Sequence, residues 1–141
     1  AGATLEQLAN LDLAYAPPFS TAIDPIQHAA NSLRNKLDGR LVGISARELS
    51  SWLEGDREFV LLDVRTPEEL RRLRIADRRL LPVPLGKLRR EVGSLPPGHP
   101  VVAVCKAGVR AYEALAILKA AGQEDVRVLE GGLAAWPYPT E

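Results

Sequence analysis

The chain's single cysteine, Cys105, stands between the apolar run Val101-Val102-Ala103-Val104 and a helical pattern that starts near Arg110 and continues to Gly122. Four mostly β-branched apolar residues in a row read as a buried strand, so the thiol is placed where strand gives way to helix. The unpaired N–H groups and positive end of that helix favour an anion, and Lys106 and Arg110 add two cations nearby. Gly108 lets the backbone curl so that successive amides face one concavity, an anion nest about as wide as a single tetrahedral group. Only a thiolate attacks electrophiles, and these surroundings favour its formation. Cys105 is therefore the candidate nucleophile, and Lys106, Ala107, Gly108, Val109 and Arg110 form the candidate anion-binding loop. A lone buried cysteine also serves as a small apolar residue, but that reading leaves the cation pair and the glycine unexplained.

The elements that must hold this loop follow from the alternation of short apolar runs with helical patterns after Leu41, which implies parallel strands joined by right-handed crossovers. Phe59-Val60-Leu61-Leu62 is the clearest central strand. Asp63-Val64-Arg65 lies at its carboxyl end, where open α/β sheets place their sites. Asp63 and Arg65 either reach toward the cysteine loop or pair with each other as a structural clamp, the second being the simpler expectation. Val42-Gly43-Ile44 and Val126 to Leu129 are further strands, and Leu80-Leu81-Pro82-Val83-Pro84 is an edge strand because two prolines remove ladder donors. Ser45 with Glu48, and Thr66 with Pro67 and Glu69, have the spacing of capped helix starts. Leu49, Trp52 and Leu53 share one helical face, Leu85, Leu88 and Val92 another, and Ala111, Ala114, Leu115, Leu118 and Ala121 a third. Gly131-Gly132 allows a close turn before Trp136 packs back.

Taken in order, Asp63-Val64-Arg65, the loop Cys105 to Arg110, and Leu129-Glu130-Gly131-Gly132 followed by Trp136 resemble a rhodanese domain. The resemblance spans about Val42 to Trp136. It implies a rhodanese-like α/β fold, about five mainly parallel strands with helices on both faces. It also implies a sulfurtransferase whose loop cysteine takes a sulfane sulfur from thiosulfate, polysulfide or a persulfide and passes it on as a persulfide. In that family Asp63 and Arg65 would mostly support the fold and the loop. The sequence departs from the family at Leu73-Arg74-Ile75-Ala76-Asp77, where a Gly-His-Ile segment is common, which bears on local loop shape more than on chemistry. Tyrosine phosphatases share the cysteine and arginine but separate them by five residues, whereas four intervene here. The tighter ring suits sulfur better than a phosphoryl group, and a cysteine-based phosphatase is the weaker alternative. A non-catalytic docking or regulatory module of the same fold is the other.

Residues 1–40 have a different texture. Ala14-Tyr15-Ala16-Pro17-Pro18-Phe19-Ser20 is an extended, proline-stiffened segment, and Asp24-Pro25 caps a helix whose apolar residues Ile26, Ala29, Ala30, Leu33 and Leu37 recur at helical spacing up to Asp38-Gly39. From Leu11 to Pro25 the chain resembles the end of the dimerisation domain of flavin- and pyridine-nucleotide-dependent disulfide reductases, among which the coenzyme A-disulfide reductase group includes rhodanese fusions. The resemblance implies residues 1–40 as the tail of such a domain with a linker helix, and 41–141 as the rhodanese domain. Tyr15 would then either contribute to the reductase site or anchor a proline turn. FAD and NAD(P)H are expected only in a reductase part outside this chain, since no G-x-G-x-x-G follows a strand. The expected partners are small sulfur donors and thiol acceptors, coenzyme A persulfide among them, and the reductase domain.

Composition narrows the classes further. The 141 residues, 46% hydrophobic and 26% charged, suit an ordinary globular domain with an appendage, and 18 basic against 18 acidic residues give no net charge to attract nucleic acid or an anionic membrane. One cysteine builds no internal disulfide framework, and His28 and His99 form no metal-ligand cluster, so no metal is expected. No secretory signal or membrane span is read, and a reducing cytoplasm is the expected compartment. Eight basic residues from Arg71 to Arg90 read as a solvated face, with anion or acidic-partner docking as the minority reading.

Overall fold

A computed structural model describes residues 2–14, 18–19 and 22–141. Tyr15, Ala16, Pro17 and Ser20, within the proline-stiffened segment, lie outside the described residues. The chain divides into two compact units, Ala1–Leu41 and Val42–Glu141.

In the first unit, α2 (Pro25–Leu37) begins as the Asp24-Pro25 pair dictates. The Asp24 carboxylate accepts from the Ile26 N–H, the Gln27 side chain reaches back to the Asp24 N–H, and Pro25 occupies the first turn. Gly39, at φ +69°, turns the chain out of it. A short α1 (Leu5–Ala9) packs against α2 and starts with a second capping box, Thr4 with Gln7. Only Ala30 of the α2 stripe is buried, while Ile26, Leu33 and Leu37 remain exposed within this unit, because one turn and a half of α1 cannot cover a thirteen-residue helix.

The second unit is a five-stranded sheet in the order β1-β5-β4-β2-β3, formed by β1 (Gly43–Ile44), β2 (Val60–Asp63), β3 (Leu80–Pro82), β4 (Val101–Val104) and β5 (Val126–Leu129). Every pairing is parallel, in line with the α/β expectation. The central strand β4 and its neighbour β2 are buried along their whole length, the mark of a parallel sheet covered on two faces. On one face Leu61, Val102, Val104 and Leu129 cluster with Leu49 and Trp52 of α3 (Ala46–Glu54). Residues of the other parity, Leu62, Val101 and Ala103, are equally buried, and α6 (Val109–Ala120) lies against β4 and β5 with Ala111, Ala114, Leu115 and Leu118 inward. Ala121, expected on that buried side, is exposed instead because the helix ends at Ala120 and Gly122 turns the chain away at φ +89°. The remaining helices are α4 (Pro67–Arg72) and α5 (Leu85–Glu91), the latter continuing into a 3-10 turn over Val92–Ser94.

Two local details depart from the sequence reading. Ser45 caps α3 by accepting from the Glu48 N–H at 3.1 Å, but Glu48 bonds Arg127 at 3.2 Å rather than closing the box. Arg79, read as part of a solvated basic face, is instead held inside. Its guanidinium donates to the carbonyls of Trp52, Leu53, Gly55 and Arg57, pairs with Asp77 at 2.6 Å, and lies over the Phe59 ring. The last turn of α3 leaves carbonyls without intrahelical donors, and Arg79 supplies them from β3's side of the sheet.

Candidate active site

Parallel pairing with β2 on one side and β5 on the other fixes the end of β4, and Cys105 follows it directly. The chain then turns into α6 through Gly108, whose φ of +103° is a conformation L side chains rarely adopt. This turn aims the Gly108 N–H at the cysteine Sγ, 3.0 Å away. An amide directed at sulfur interacts more strongly with a thiolate than with a thiol, so the loop is shaped to hold negative charge at that atom. Cys105 itself is 2% exposed and lies at the floor of the loop, whereas Lys106, Ala107 and Val109 form an exposed rim. A group reaching Sγ would therefore have to arrive end-on, leading with a small terminal atom.

The floor of the loop is set from a distant part of the sequence. After β5, Gly131 and Gly132 take left-handed conformations and lead into a 3-10 turn, Gly132–Ala135. The first free amides of that turn, those of Leu133 and Ala134, donate to the carbonyls of Cys105 at 2.9 Å and Lys106 at 2.8 Å. Gly132 lies so close beneath that a Cβ there would stand 2.5 Å from the Cys105 carbonyl oxygen and 2.7 Å from the Ala107 nitrogen. The glycine pair thus gives the loop a seat at backbone contact distance.

Asp63 and Arg65 do not reach into the loop. They close on each other, with Arg65 donating from its main-chain N–H and its guanidinium to the Asp63 carboxylate, the shortest contact being 2.7 Å, and donating onward to the Leu73 carbonyl at 2.8 Å. Both are almost wholly buried. The link to the site runs through the backbone: Asp63 stands opposite Val104 in the sheet, and the Val64 N–H donates to the Val104 carbonyl at 3.0 Å. The clamp therefore holds the segment against which the cysteine-bearing strand ends.

Arg110 is not the free cation that its spacing suggests. Its guanidinium grips Glu69 with two parallel bonds of 2.7 Å, and Glu69 also accepts from the Thr66 N–H in the capping box of α4. The Arg110 bonds, reinforced by the Thr66 amide, hold the Glu69 carboxyl down to about 2, and the same pairing raises Arg110. Glu69 is thus a residue of the site that sequence reasoning assigned only to a helix cap. Lys106 has no carboxylate partner among the described residues. His99 precedes β4 and so stands at the other end of the strand from Cys105. Among the described residues, no group of three or more potential metal ligands gathers anywhere.

Residues 45–137 match the rhodanese-like domain family. The chain belongs to that family. Among curated relatives, a probable adenylyltransferase/sulfurtransferase MoeZ of Mycobacterium tuberculosis is 41% identical over 93 residues, which are 66% of this chain and 24% of that protein. A sulfurtransferase of Allochromatium vinosum is 36% identical over 66% of this chain and 85% of its own length. Among solved structures, an NAD-dependent persulfide reductase from A. fulgidus superposes with a TM-score of 0.79 at 44% identity, covering 94% of this chain and 23% of that one. A Bacillus anthracis CoADR-RHD structure gives 0.85 at 30% identity with the same coverage. This rhodanese-like chain spans about a quarter of the length of MoeZ and of both of these solved chains.

Proposed function

We propose that the domain is a sulfurtransferase that carries sulfane sulfur as a persulfide on Cys105. The observation that carries this reading is the Gly108 amide pointed at Sγ from the loop that the family uses for sulfur. The thiolate attacks the terminal sulfur of a donor S–X. The new S–S bond forms as the S–X bond breaks, and X leaves with the electron pair, as sulfite does from thiosulfate. The terminal sulfur of the resulting persulfide takes the negative charge, where amides of Lys106 to Arg110 and the Lys106 ammonium offset it. An acceptor thiolate then takes that sulfur and restores the Cys105 thiolate, so no net oxidant is needed. The sulfurtransferase names of the curated relatives support the assignment.

The finer reading places the domain in a reductase. Both reductase likenesses cover 94% of the chain, more than the rhodanese portion alone, which supports residues 1–40 as part of a reductase body. In that setting the donor would be a polysulfide or coenzyme A persulfide, FAD and NAD(P)H would bind the reductase part, and the partner would be the reductase domain. No helix among the described residues is long and apolar enough to cross a membrane.

The 2% exposure of Cys105 favours a second reading, a non-catalytic docking module in which the thiol only fills space. Intact mass measured after exposure to thiosulfate, polysulfide or coenzyme A persulfide separates the two. Transfer requires one added sulfur, lost on thiol treatment and absent from Cys105→Ser. A folded protein that gains none from any donor supports the docking module instead.

A further inference from the structure

The charges around the loop cancel. A reactive thiolate at Cys105 contributes one negative charge, Lys106 and Arg110 contribute two positive ones, and Glu69 returns a negative charge through its two-bond grip on Arg110. The carboxylate is ionised throughout the neutral range, since its proton is lost near pH 2. With Arg110 tied to Glu69, Lys106 is the loop cation left to face both the thiolate and an incoming anion. We propose that Glu69 is a specificity-determining residue that acts through Arg110 to disfavour dianionic sulfur donors relative to singly charged ones. The inference rests on the sulfur-transfer reading and adds to it the class of donor the site accepts.

The physical reason is that a donor must bring its own charge to within contact of the thiolate before any bond changes. A dianion such as thiosulfate meets twice the repulsion from Cys105 and Glu69 that a monoanion meets. The bond count of Arg110 adds to this, because two of its donor groups are already committed to Glu69 and cannot turn to the donor without breaking both 2.7 Å contacts. Nothing comparable restrains Lys106, whose exposed ammonium attracts a dianion about twice as strongly as a monoanion, so the charge of Glu69 is what sets the balance against the dianion.

The sequence supplies a clean perturbation. Glu69→Gln keeps the third position of the α4 capping box, since glutamine satisfies that box as well as glutamate does, and it retains a carbonyl for Arg110 while removing the charge. The probes are thiosulfate and an alkyl thiosulfonate, RSO2S⁻. Each gives its sulfane sulfur to the Cys105 thiolate in the same step, with sulfite or sulfinate leaving with the bonding pair. They differ by one unit of charge at the donor.

The measurement is kcat/KM for both donors with cyanide as acceptor, at two ionic strengths, for wild type and Glu69→Gln, with thermal unfolding as the check on folding. The expected result is that Glu69→Gln raises thiosulfate turnover relative to thiosulfonate by about tenfold at low salt, and by less as screening increases. A donor ratio unchanged in a folded variant overturns the inference and leaves sulfur transfer standing. An equal fall for both donors also overturns it, since Glu69 would then only hold Arg110 in place. Wild-type protein that accepts sulfur from neither donor overturns this inference, and only if it also gains none from polysulfide or coenzyme A persulfide does the sulfur-transfer reading fall with it.

Discussion

The seat beneath the loop gives the sharpest mutational prediction. Replacing Gly132 by alanine places a methyl group 2.5 Å from the Cys105 carbonyl oxygen and 2.7 Å from both the Lys106 carbonyl carbon and the Ala107 nitrogen, against 3.4 Å for an ordinary contact. All of these are main-chain atoms, so no side chain can swing aside, and the loop must rise by close to 1 Å. The φ of +58° adds ~1 to 2 kcal/mol for an L side chain. A 1 Å misplacement of reacting groups costs about a hundredfold in rate, so Gly132→Ala should lose about that in kcat for sulfur transfer. Gly131→Ala is the matched control. It carries the same left-handed penalty at φ +73°, but its methyl would meet the Ala135 side chain rather than the loop. Both variants should unfold at lower temperature, and only Gly132→Ala should lose most of its turnover. Measured by steady-state transfer to cyanide beside thermal melts, equal activity in two equally destabilised variants would refute the idea that the loop is positioned from below.

Acid should erase the contribution of the Glu69–Arg110 pair. The carboxyl ionises near 4.5 in the unfolded chain and near 2 in the folded one, so the stabilisation is complete above pH 4.5 and lost as pH falls through 2. Because the pair is about one-third exposed, solvent reduces its worth to ~1 kcal/mol. The stability gap between wild type and Glu69→Gln in urea titrations should therefore close between pH 4.5 and 2, and a gap constant over that range would exclude the linkage. Arg79→Ala removes the donors of four carbonyls and strands Asp77, for an expected loss of ~3 kcal/mol or more. A surface arginine would lose under ~0.5 kcal/mol in the same urea unfolding experiment. Arg65→Met leaves the buried Asp63 carboxylate without its partner and should cost ~3 to 5 kcal/mol. A melt within error of wild type would show that Asp63 is satisfied by other groups.

Strand-forming runs such as Val101 to Val104 and capped starts such as Asp24-Pro25 and Thr66-Pro67 were legible because the signal is local: β-branched apolar residues pack on a pleated surface, and a side-chain oxygen reaches an amide two or three residues on. The α/β architecture followed from their alternation. Long-range side-chain pairing had no such signature. Arg110 finds Glu69 across 41 positions, and Arg79 reaches back 22 to 27 positions to the end of α3, distances at which a charged residue in a sequence has many equivalent partners. Glu69 was hidden for a further reason, since its capping role already accounted for its presence. The glycine pair was legible as a tight turn, but its contact with the Cys105 carbonyl depends on β5 lying beside β4, which spacing alone does not specify. Helix α1 was missed although Thr4 and Gln7 carry the same capping spacing as the helices that were read.

The dependence of the loop on Leu133 and Ala134 orders events during biosynthesis. A nascent chain that has left the ribosome only as far as Ala120 already exposes its thiol, yet has neither β5 to register against β4 nor the turn that receives the Cys105 and Lys106 carbonyls. The seat beneath the thiol can therefore form only once the closing turn has been made and docked, so the backbone around Cys105 is the last part of the sheet's carboxyl edge to take its final shape.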